Sequence, residues 1–322
     1  MRDRLPRWAA AVACAVLAVW VVLGSVPSAS AADEVAFTWS DPRLATPAGL
    51  ARDTDHGVYW VANSGRSATT AVYAVRPDGR TAARLVLNIP TTAVEAVGYQ
   101  TGRVFLADIG DPNRTRTQIA VSFATVPSLA DATVTYRSWD FTYPDGAHDA
   151  EALLLGPGTQ IYVVTKGASP GIYKAPAQPV ATKANALTRV ADAPAGVTDG
   201  TFLPSGRVAL RTATEVLELD PATWETVATS TLPTQQNGKT LAPTLDGTAL
   251  LAGGQGIGTP VHKVALPSAV ATATPTPTPT PGAQSSDSQP VIEEGDRSGT
   301  LVALVAAALV AVAAGAYTLV RR

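Results

Sequence analysis

Acidic side chains concentrate in two short stretches in the middle of the chain. Glu95 precedes the run Asp108-Ile109-Gly110-Asp111-Pro112-Asn113, and a second stretch, 143–154, contains Asp149 and Glu151. Carboxylates that converge on one place must share protons, pair with basic side chains or bind a cation. Oxygen ligands of this type suit a hard cation such as Ca²⁺. The candidate metal ligands are Glu95, Asp108, Asp149 and Glu151.

The same stretches also predict a site for a polar ligand without a metal. The candidate ligand-binding residues are Glu95, Asp108, Asp111, Asn113, Asp149, Glu151 and Lys166. A structural interpretation stays open beside both of these, because Asp and Asn side chains often cap turns and pair with nearby basic residues. The basic residues available for such pairs are Arg103, Arg114, Arg116 and Lys166. The sequence indicates no catalytic residue.

Three other patterns have the composition of functional motifs without the required context. Gly167-Ala168-Ser169-Pro170-Gly171 matches G-x-S-x-G, but a nucleophile elbow needs a helix after the serine, and here Pro170 leads into a strand. We therefore expect a hairpin turn. The glycines in 253–258 lack the G-x-G-x-x-G spacing and predict a loop. The three histidines, His56, His148 and His262, lie far apart in the chain and predict surface or turn positions, not a zinc site.

The chain around these residues predicts an all-β domain built from repeats. Short runs rich in Val, Ile, Tyr and Thr alternate with turns of Gly, Pro, Asn and Asp, and no segment has a helical period. One apolar strand recurs at intervals of roughly 40 to 60 residues, which is typical of propeller blades. Its copies begin near Val58, Val104, Ile161, Val208 and Ala249. We expect a five-bladed β-propeller, with 34–39 closing the ring against the last blade; a β-sandwich is the alternative.

The two acidic stretches also carry a resemblance. The segments 108–113, 143–154 and 161–166 resemble secreted β-propeller proteins, WD40- or NHL-like, of high-GC Gram-positive bacteria. In those proteins an Asp-Ile-Gly-Asp-Asn motif precedes a Tyr-Pro-Asp-Gly…Asp-Ala-Glu-Ala-Leu-Leu motif. This chain departs from the pattern by placing Pro112 before Asn113. The resemblance implies a propeller fold and a location outside the cell, and it implies no activity.

Both ends of the chain predict export and membrane attachment. Basic residues before an apolar run and the small residues that end at Ala31 indicate a signal peptide over 1–31, with an uncleaved anchor as the alternative. The uncharged segment 299–320 has the length of a transmembrane helix and precedes a basic cytoplasmic tail, 321–322. Between domain and helix, 269–298 is rich in Pro, Thr and Ser and predicts an extended linker. The propeller domain is expected over 32–268, on the extracellular side of the cell membrane.

Composition narrows the class of function. The 24 basic and 26 acidic residues nearly balance, which argues against a nucleic-acid surface. The single cysteine lies in the predicted signal peptide, so we expect a mature domain without disulfides. The first hypothesis is a membrane-tethered, non-catalytic binding module for an extracellular protein or a cell-envelope ligand. The alternative is a cation-dependent hydrolase of the phytase, lactonase or esterase type, with Ca²⁺ at the acidic cluster.

Overall fold

The computed structural model of the protein describes residues 34–268. The predicted signal peptide, linker, transmembrane helix and cytoplasmic tail all lie outside these residues. Within 34–268 no helix is long and apolar enough to cross a membrane. The described chain consists of 23 β-strands and one short 3₁₀ turn, Pro157–Thr159.

The strands are numbered in chain order. The first twelve are β1 (Glu34–Thr38), β2 (Pro47–Asp53), β3 (Val58–Asn63), β4 (Gly65–Ser67), β5 (Thr70–Val75), β6 (Thr81–Leu87), β7 (Thr91–Gln100), β8 (Arg103–Asp108), β9 (Ile119–Thr125), β10 (Ala132–Val134), β11 (Arg137–Thr142) and β12 (Asp149–Gly156). The others are β13 (Gln160–Lys166), β14 (Gly171–Lys174), β15 (Asn185–Ala186), β16 (Thr188–Asp192), β17 (Asp199–Phe202), β18 (Val208–Arg211), β19 (Glu215–Leu219), β20 (Thr226–Thr231), β21 (Thr240–Pro243), β22 (Ala249–Gly253) and β23 (Pro260–Ala265).

These strands form five sheets arranged as the blades of a propeller. Blade 1 has the order β2-β3-β5-β6, blade 2 β7-β8-β9-β11, blade 3 β12-β13-β14-β16, blade 4 β17-β18-β19-β20, and blade 5 β21-β22-β23-β1. The first strand of each blade contacts the first strands of the two neighbouring blades, so β2, β7, β12, β17 and β21 surround a central channel. The prediction of a five-bladed propeller is confirmed.

The ring is closed by the N-terminal strand. Strand β1 pairs antiparallel with β23 and so completes blade 5 from the opposite end of the chain. Phe37 and Trp39 pack in one apolar cluster with residues of blades 1 and 5. The pairing covers the free edge of β23 and joins the two ends of the domain, which helps to stabilise a domain without disulfides.

Five apolar clusters hold the blades together, one between each pair of neighbours. They lie between blades 1 and 2, 2 and 3, 3 and 4, 4 and 5, and 5 and 1. The same alternation of side chains that makes each strand amphipathic places apolar residues on both faces of a blade, so every interior sheet is covered on both sides.

The repeated apolar strands are the second strands of the blades, not the innermost ones. Val58, Val104, Ile161, Val208 and Ala249 lie in β3, β8, β13, β18 and β22. Glu95 and Glu151 therefore lie within the innermost strands β7 and β12, one strand before the repeated apolar strands of their blades. The second strand of each blade is covered on both faces by the neighbouring blades, so its sequence is a clear apolar run. The first strands, which face the channel, include polar and small residues.

The long interval before blade 3 contains no additional blade. Strand β10 pairs in parallel with β6 at the outer edge of blade 1, and β11 is the outermost regular strand of blade 2. Strand β15 extends blade 2 by a short parallel pairing with β11. The extra residues thus cover the outer edges of two blades and leave the number of blades at five.

Candidate functional site

Two β-bulges direct acidic side chains to one end of the central channel. The strand register shifts between Val94 and Ala96 in β7 and between Ala150 and Ala152 in β12. Glu95 and Glu151 are the extra residues at these shifts. A bulge re-aims the side chain of the residue it inserts. Two carboxylates, from blades 2 and 3, are thereby presented to the same space where the innermost strands begin.

A lysine from blade 5 lies between these two carboxylates. The Lys239 ammonium is 2.9 Å from Oε2 of Glu95 and also pairs with Oε2 of Glu151. Lys239 immediately precedes β21, and its backbone carbonyl accepts a hydrogen bond from the N–H of Gly49 in blade 1, at 3.0 Å. Gly49 has a φ of +66°, and its backbone lies directly against that of Ala96, where a Cβ atom would not fit. Lys239 of blade 5 thus contacts residues of blades 1, 2 and 3 and connects four blades around the channel.

A second lysine pairs with the acidic residues of blade 3. Lys166, at the end of β13, pairs with Oε1 of Glu151 and lies 3.4 Å from Oδ2 of Asp149. The other oxygen of Asp149 accepts a hydrogen bond from the backbone N–H of Asp111, at 2.7 Å. Asp149 therefore joins the loop after β8 to blade 3.

The acidic run at the end of β8 forms a turn, and Arg116 holds this turn in place through hydrogen bonds to its aspartates. Asp108 accepts the backbone N–H groups of Thr92 and Ala93 at 3.0 and 2.7 Å. The guanidinium of Arg116 donates to Asp108 at 3.0 Å, and the backbone N–H of Arg116 donates to Asp111 at 2.8 Å. The structural interpretation of these aspartates, as turn-capping and ion-paired groups, matches these contacts.

Charge and burial set the protonation of this cluster, which we call the mouth cluster: Glu95, Asp108, Asp149, Glu151, Lys166, Lys239 and Arg116. Burial raises the pKa of Glu95, although the Lys239 charge acts in the opposite direction. Burial alone lowers the pKa of Lys239, but the carboxylates of Glu151 and Glu95 outweigh it and raise that pKa. The pKa of Lys166 is raised in the same way, against burial, by Glu151 and Asp149. Both lysines are therefore held in the charged form.

The mouth cluster is layered: its carboxylates are buried, and Lys166 is its most exposed charged side chain. The Glu151 side chain is 1% exposed, whereas the Lys166 side chain that pairs with it is 40% exposed. Lys239 and Arg116 are mostly buried, at 19% and 17% exposed, close to the 14% and 13% of Glu95 and Asp108. Arg114 is exposed as well, and its guanidinium lies over Gly167, next to Lys166. The charge offered to solvent at this mouth is positive.

The carboxylate oxygens proposed as metal ligands are largely engaged. Within 34–268 no three His, Cys, Asp or Glu side chains are grouped so that they could hold a metal ion. Glu95 and Glu151 converge on an ammonium, and Asp108 and Asp149 accept backbone N–H groups and basic side chains. Asn113 lies on the exposed side of the turn after β8. The donor set is that of an ion-pair network.

Blade 4 supplies a buried acid that no motif in the sequence marks. Asp199, at the start of β17, accepts the backbone N–H of Gly200 at 2.8 Å and that of Leu241 at 2.6 Å. Burial raises the pKa of Asp199 well above its usual value, against the effect of these hydrogen bonds and of Arg211 and Lys239. Asp199 begins β17 and pairs with Arg211 at the end of β18, as Asp149 begins β12 and pairs with Lys166 at the end of β13. An acidic residue at the start of a first strand is the signal by which the sequence could have identified Asp199.

Arg211, the cross-strand partner of Asp199, is fully buried. Its Nη1 donates to the carbonyls of Thr240 and Gly253, each at 2.7 Å, and its Nη2 donates to Oε1 of Gln235. Burial lowers its pKa to about 10, although the nearby Asp199 raises it. Arg211 ties blade 4 to blade 5 beside the channel, and no motif in the sequence marked it.

The other predicted motifs lie away from the mouth cluster or serve as connections. The 167–170 segment links β13 to β14 as a hairpin turn, without a helix. His56 lies 2.8 Å from Asp53, and His148 lies 2.9 Å from Asp145 and 3.0 Å from the hydroxyl of Tyr173. The glycine-rich segment 254–259 is the loop between β22 and β23.

Comparisons with known proteins concern the fold. Neither a protein-family model nor a curated protein matches the sequence. Among solved structures, the chain is similar to a gluconolactonase from Xanthomonas campestris, with 11% identity over 71% of this chain and 89% of that chain and a TM-score of 0.43. A protein of unknown function from Bacteroides caccae is 11% identical over 64% of this chain and 69% of that chain, with a TM-score of 0.42. A streptogramin B lyase is 10% identical over 67% and 64%, with a TM-score of 0.36. At these values the likenesses carry no argument about the chemistry of the mouth cluster.

Proposed function

We propose that this protein is a binding module that binds an anionic group of a cell-envelope ligand at the mouth of its propeller channel. The setting of the proposal is the export and membrane attachment expected from the two ends of the chain. The observation that carries it is the layering of charge: the carboxylates of the mouth cluster are buried, whereas Lys166 is 40% exposed and the neighbouring Arg114 is exposed.

The layering favours an anionic ligand over a cation. A metal ion that entered the mouth would first meet Lys166 and Arg114, and it would then compete with Lys239 for Glu95 and Glu151. An anion instead meets Lys166, which Glu151 and Asp149 already orient, and the positive charge of Arg114 beside it. Preorganised donors bind more tightly because less side-chain freedom is lost on binding.

Arg114 provides the cleanest test of anion binding. Its side chain makes no ion pair within 34–268, so the substitution Arg114→Met removes a charge at the mouth and leaves the network below intact. We expect the purified chain to bind polyphosphate in a salt-sensitive manner and Arg114→Met to weaken that binding at least about threefold. Lys183→Met, at an exposed lysine away from the mouth, is the matched control and should leave binding unchanged.

The alternative, a cation-dependent hydrolase, predicts the opposite response to ligands. In that case Ca²⁺ raises the Tm of the purified chain, the metal is retained in stoichiometric amount, and Glu95→Gln removes the effect. We expect no such rise. Polyphosphate binding that is equal in the wild type and in Arg114→Met, together with a Ca²⁺-dependent rise in Tm, would overturn the binding proposal.

A further inference from the structure

A cavity opens at the end of blade 5 where Lys239 of the mouth cluster precedes β21. It lies between the loop from β20 to β21 and the loop from β22 to β23 and has a volume of about 330 Å³. We call it the blade 5 pocket. The residues that matter for its chemistry are Thr234, Gln235, Gln236, Ile257, Thr259 and His262. Its size is that of a site for a small molecule, for which about 300 Å³ is the lower end of the usual range.

The lining of the blade 5 pocket is polar and uncharged. Among the described residues that line it there are amides, hydroxyls, one imidazole and two apolar side chains, with no Asp, Glu, Lys or Arg. This composition contrasts with the mouth cluster, which consists of charged groups. A ligand that fits here offers several neutral donors and acceptors and carries no net charge.

One polar atom of the lining is buried without a partner. His262 in β23 is only 9% exposed, and its Nδ1 makes no hydrogen bond with any described residue. Buried polar atoms in proteins nearly always have a partner, because leaving one unpaired forfeits its hydration without compensation. The Nε2 atom of His262 also makes no hydrogen bond with any described residue and, unlike Nδ1, is accessible, so it is the imidazole nitrogen that a ligand in the cavity can reach.

Further hydrogen-bonding capacity lies at the rim. The exposed side-chain amide of Gln236 makes no hydrogen bond to residues of 34–268. The Thr259 hydroxyl donates to the carbonyl of Gln255 at 2.9 Å and keeps its lone pairs as acceptors. Gln235, in contrast, uses both ends of its amide, donating to Ala252 at 2.9 Å and accepting from Arg211. Gln235 therefore shapes the pocket, while Gln236 and Thr259 are free to contact a ligand.

The two loops that form the pocket are anchored to the core. Arg211 holds the first loop through Gln235. The Trp39 indole donates to the carbonyl of Gly254 at 3.0 Å, and the Trp39 carbonyl accepts from the N–H of Gly258 at 2.7 Å, which holds the second loop. The pocket walls are thus positioned before a ligand arrives, which lowers the entropy lost on binding.

We propose that the blade 5 pocket binds a neutral sugar ring. Amides, hydroxyls and an imidazole match the alternating donors and acceptors of sugar hydroxyls, and Ile257, 58% exposed at the rim, offers an apolar surface for the C–H face of the ring. A peptide strand is the other neutral polar ligand, but β23 is already paired on both sides, with β1 and β22, and offers no free edge. The proposal does not depend on anion binding at the mouth cluster.

The test is a titration of the full chain with glucose, mannose and N-acetylglucosamine, followed by saturation-transfer NMR. We expect saturable binding of at least one of these sugars. Gln236→Ala and Ile257→Ala, both at exposed positions, should each weaken it at least about fivefold, which corresponds to the loss of one or two direct contacts. The matched controls are Gln118→Ala and Val227→Ala, at exposed positions outside the pocket, and both should bind as the wild type does.

Three results would overturn the proposal. The first is no saturable binding of any of the three sugars, and the second is equal binding in the pocket variants and the controls. The third is binding of N-acetylglycinamide, a peptide-backbone probe, in place of the sugars. The Arg114→Met variant separates the two sites, because it should lose affinity for polyphosphate and keep its affinity for the sugar.

Discussion

The Lys239 ammonium lies 2.9 Å from Oε2 of Glu95, a residue 144 positions earlier in the chain. The same ammonium pairs with Glu151, so blades 2, 3 and 5 meet at one positive charge at the end of the channel. The ion pair is largely buried, and each partner depends on the other for its charge.

Removal of that charge is expected to destabilise the whole ring. Lys239→Met should lower the free energy of unfolding by about 3–5 kcal/mol, because Glu95 loses its cation and Glu151 retains only Lys166. Urea unfolding measures the change. Lys263→Met is the control: Lys263 lies 3.6 Å from the exposed Glu34, and its loss should change stability by less than about 1 kcal/mol. Equal effects of the two substitutions would contradict a structural role for the mouth cluster.

The buried acid of blade 4 makes stability depend on pH. Burial raises the pKa of Asp199, so above about pH 4 the unfolded chain releases this proton while the folded protein retains it until its raised pKa is reached. The folded state then binds more protons than the unfolded state, and stability falls as pH rises through that window. Asp199→Asn should reduce this slope in urea midpoints measured between pH 4 and pH 7.

Part of the slope should remain in Asp199→Asn, because burial also raises the pKa of Glu95. The control is Asp192→Asn, at a side chain that is 88% exposed, and it should leave the slope as in the wild type. A slope that is identical in Asp199→Asn and the wild type would show that Asp199 does not hold its proton in the folded state.

Gly238 leaves the space that the Arg211 guanidinium occupies. A Cβ atom at position 238 would overlap Nη2 of Arg211, so Gly238→Ala must displace a fully buried, hydrogen-bonded cation. We expect a loss of about 1–3 kcal/mol in the free energy of unfolding, as for other overpacked sites. Gly57 has a φ of +67° and open space where a Cβ atom would lie. Gly57→Ala should therefore lower the free energy of unfolding by only about 1 kcal/mol. If Gly238→Ala is no less stable than Gly57→Ala, the Arg211 guanidinium does not occupy the space next to Gly238.

Closure of the ring by β1 can be tested within one strand. Phe37 is buried and its ring centre lies 5.3 Å from that of Trp39, whereas Val35 on the same strand is 50% exposed. Phe37→Ala should lower the free energy of unfolding by about 3–5 kcal/mol, and Val35→Ala should change it by about 0.5 kcal/mol or less. Thermal and urea unfolding of both variants give the comparison. Similar stabilities would mean that β1 does not close the ring.

The number and kind of elements followed from the sequence because they depend on local pattern. The second strands of the blades are covered on both faces, so Val104, Val208 and their equivalents stand out as regular apolar runs, and their spacing predicts five blades. Segment 34–39 was predicted to close the ring against the last blade, and β1 does so by pairing with β23. The acidic stretches around Glu95 and Asp149 were also visible, since they interrupt that pattern.

The tertiary structure alone decided what those carboxylates contact. Lys239, Asp199 and Arg211 lie in different blades from Glu95, and closing the ring brings them together at separations that no motif spans. The two bulges that turn Glu95 and Glu151 into the channel arise from strand pairing, which local sequence does not specify. The composition of the acidic cluster suggested a Ca²⁺ site. In the fold, Lys239 lies where the carboxylates converge, and the cluster is a network of ion pairs.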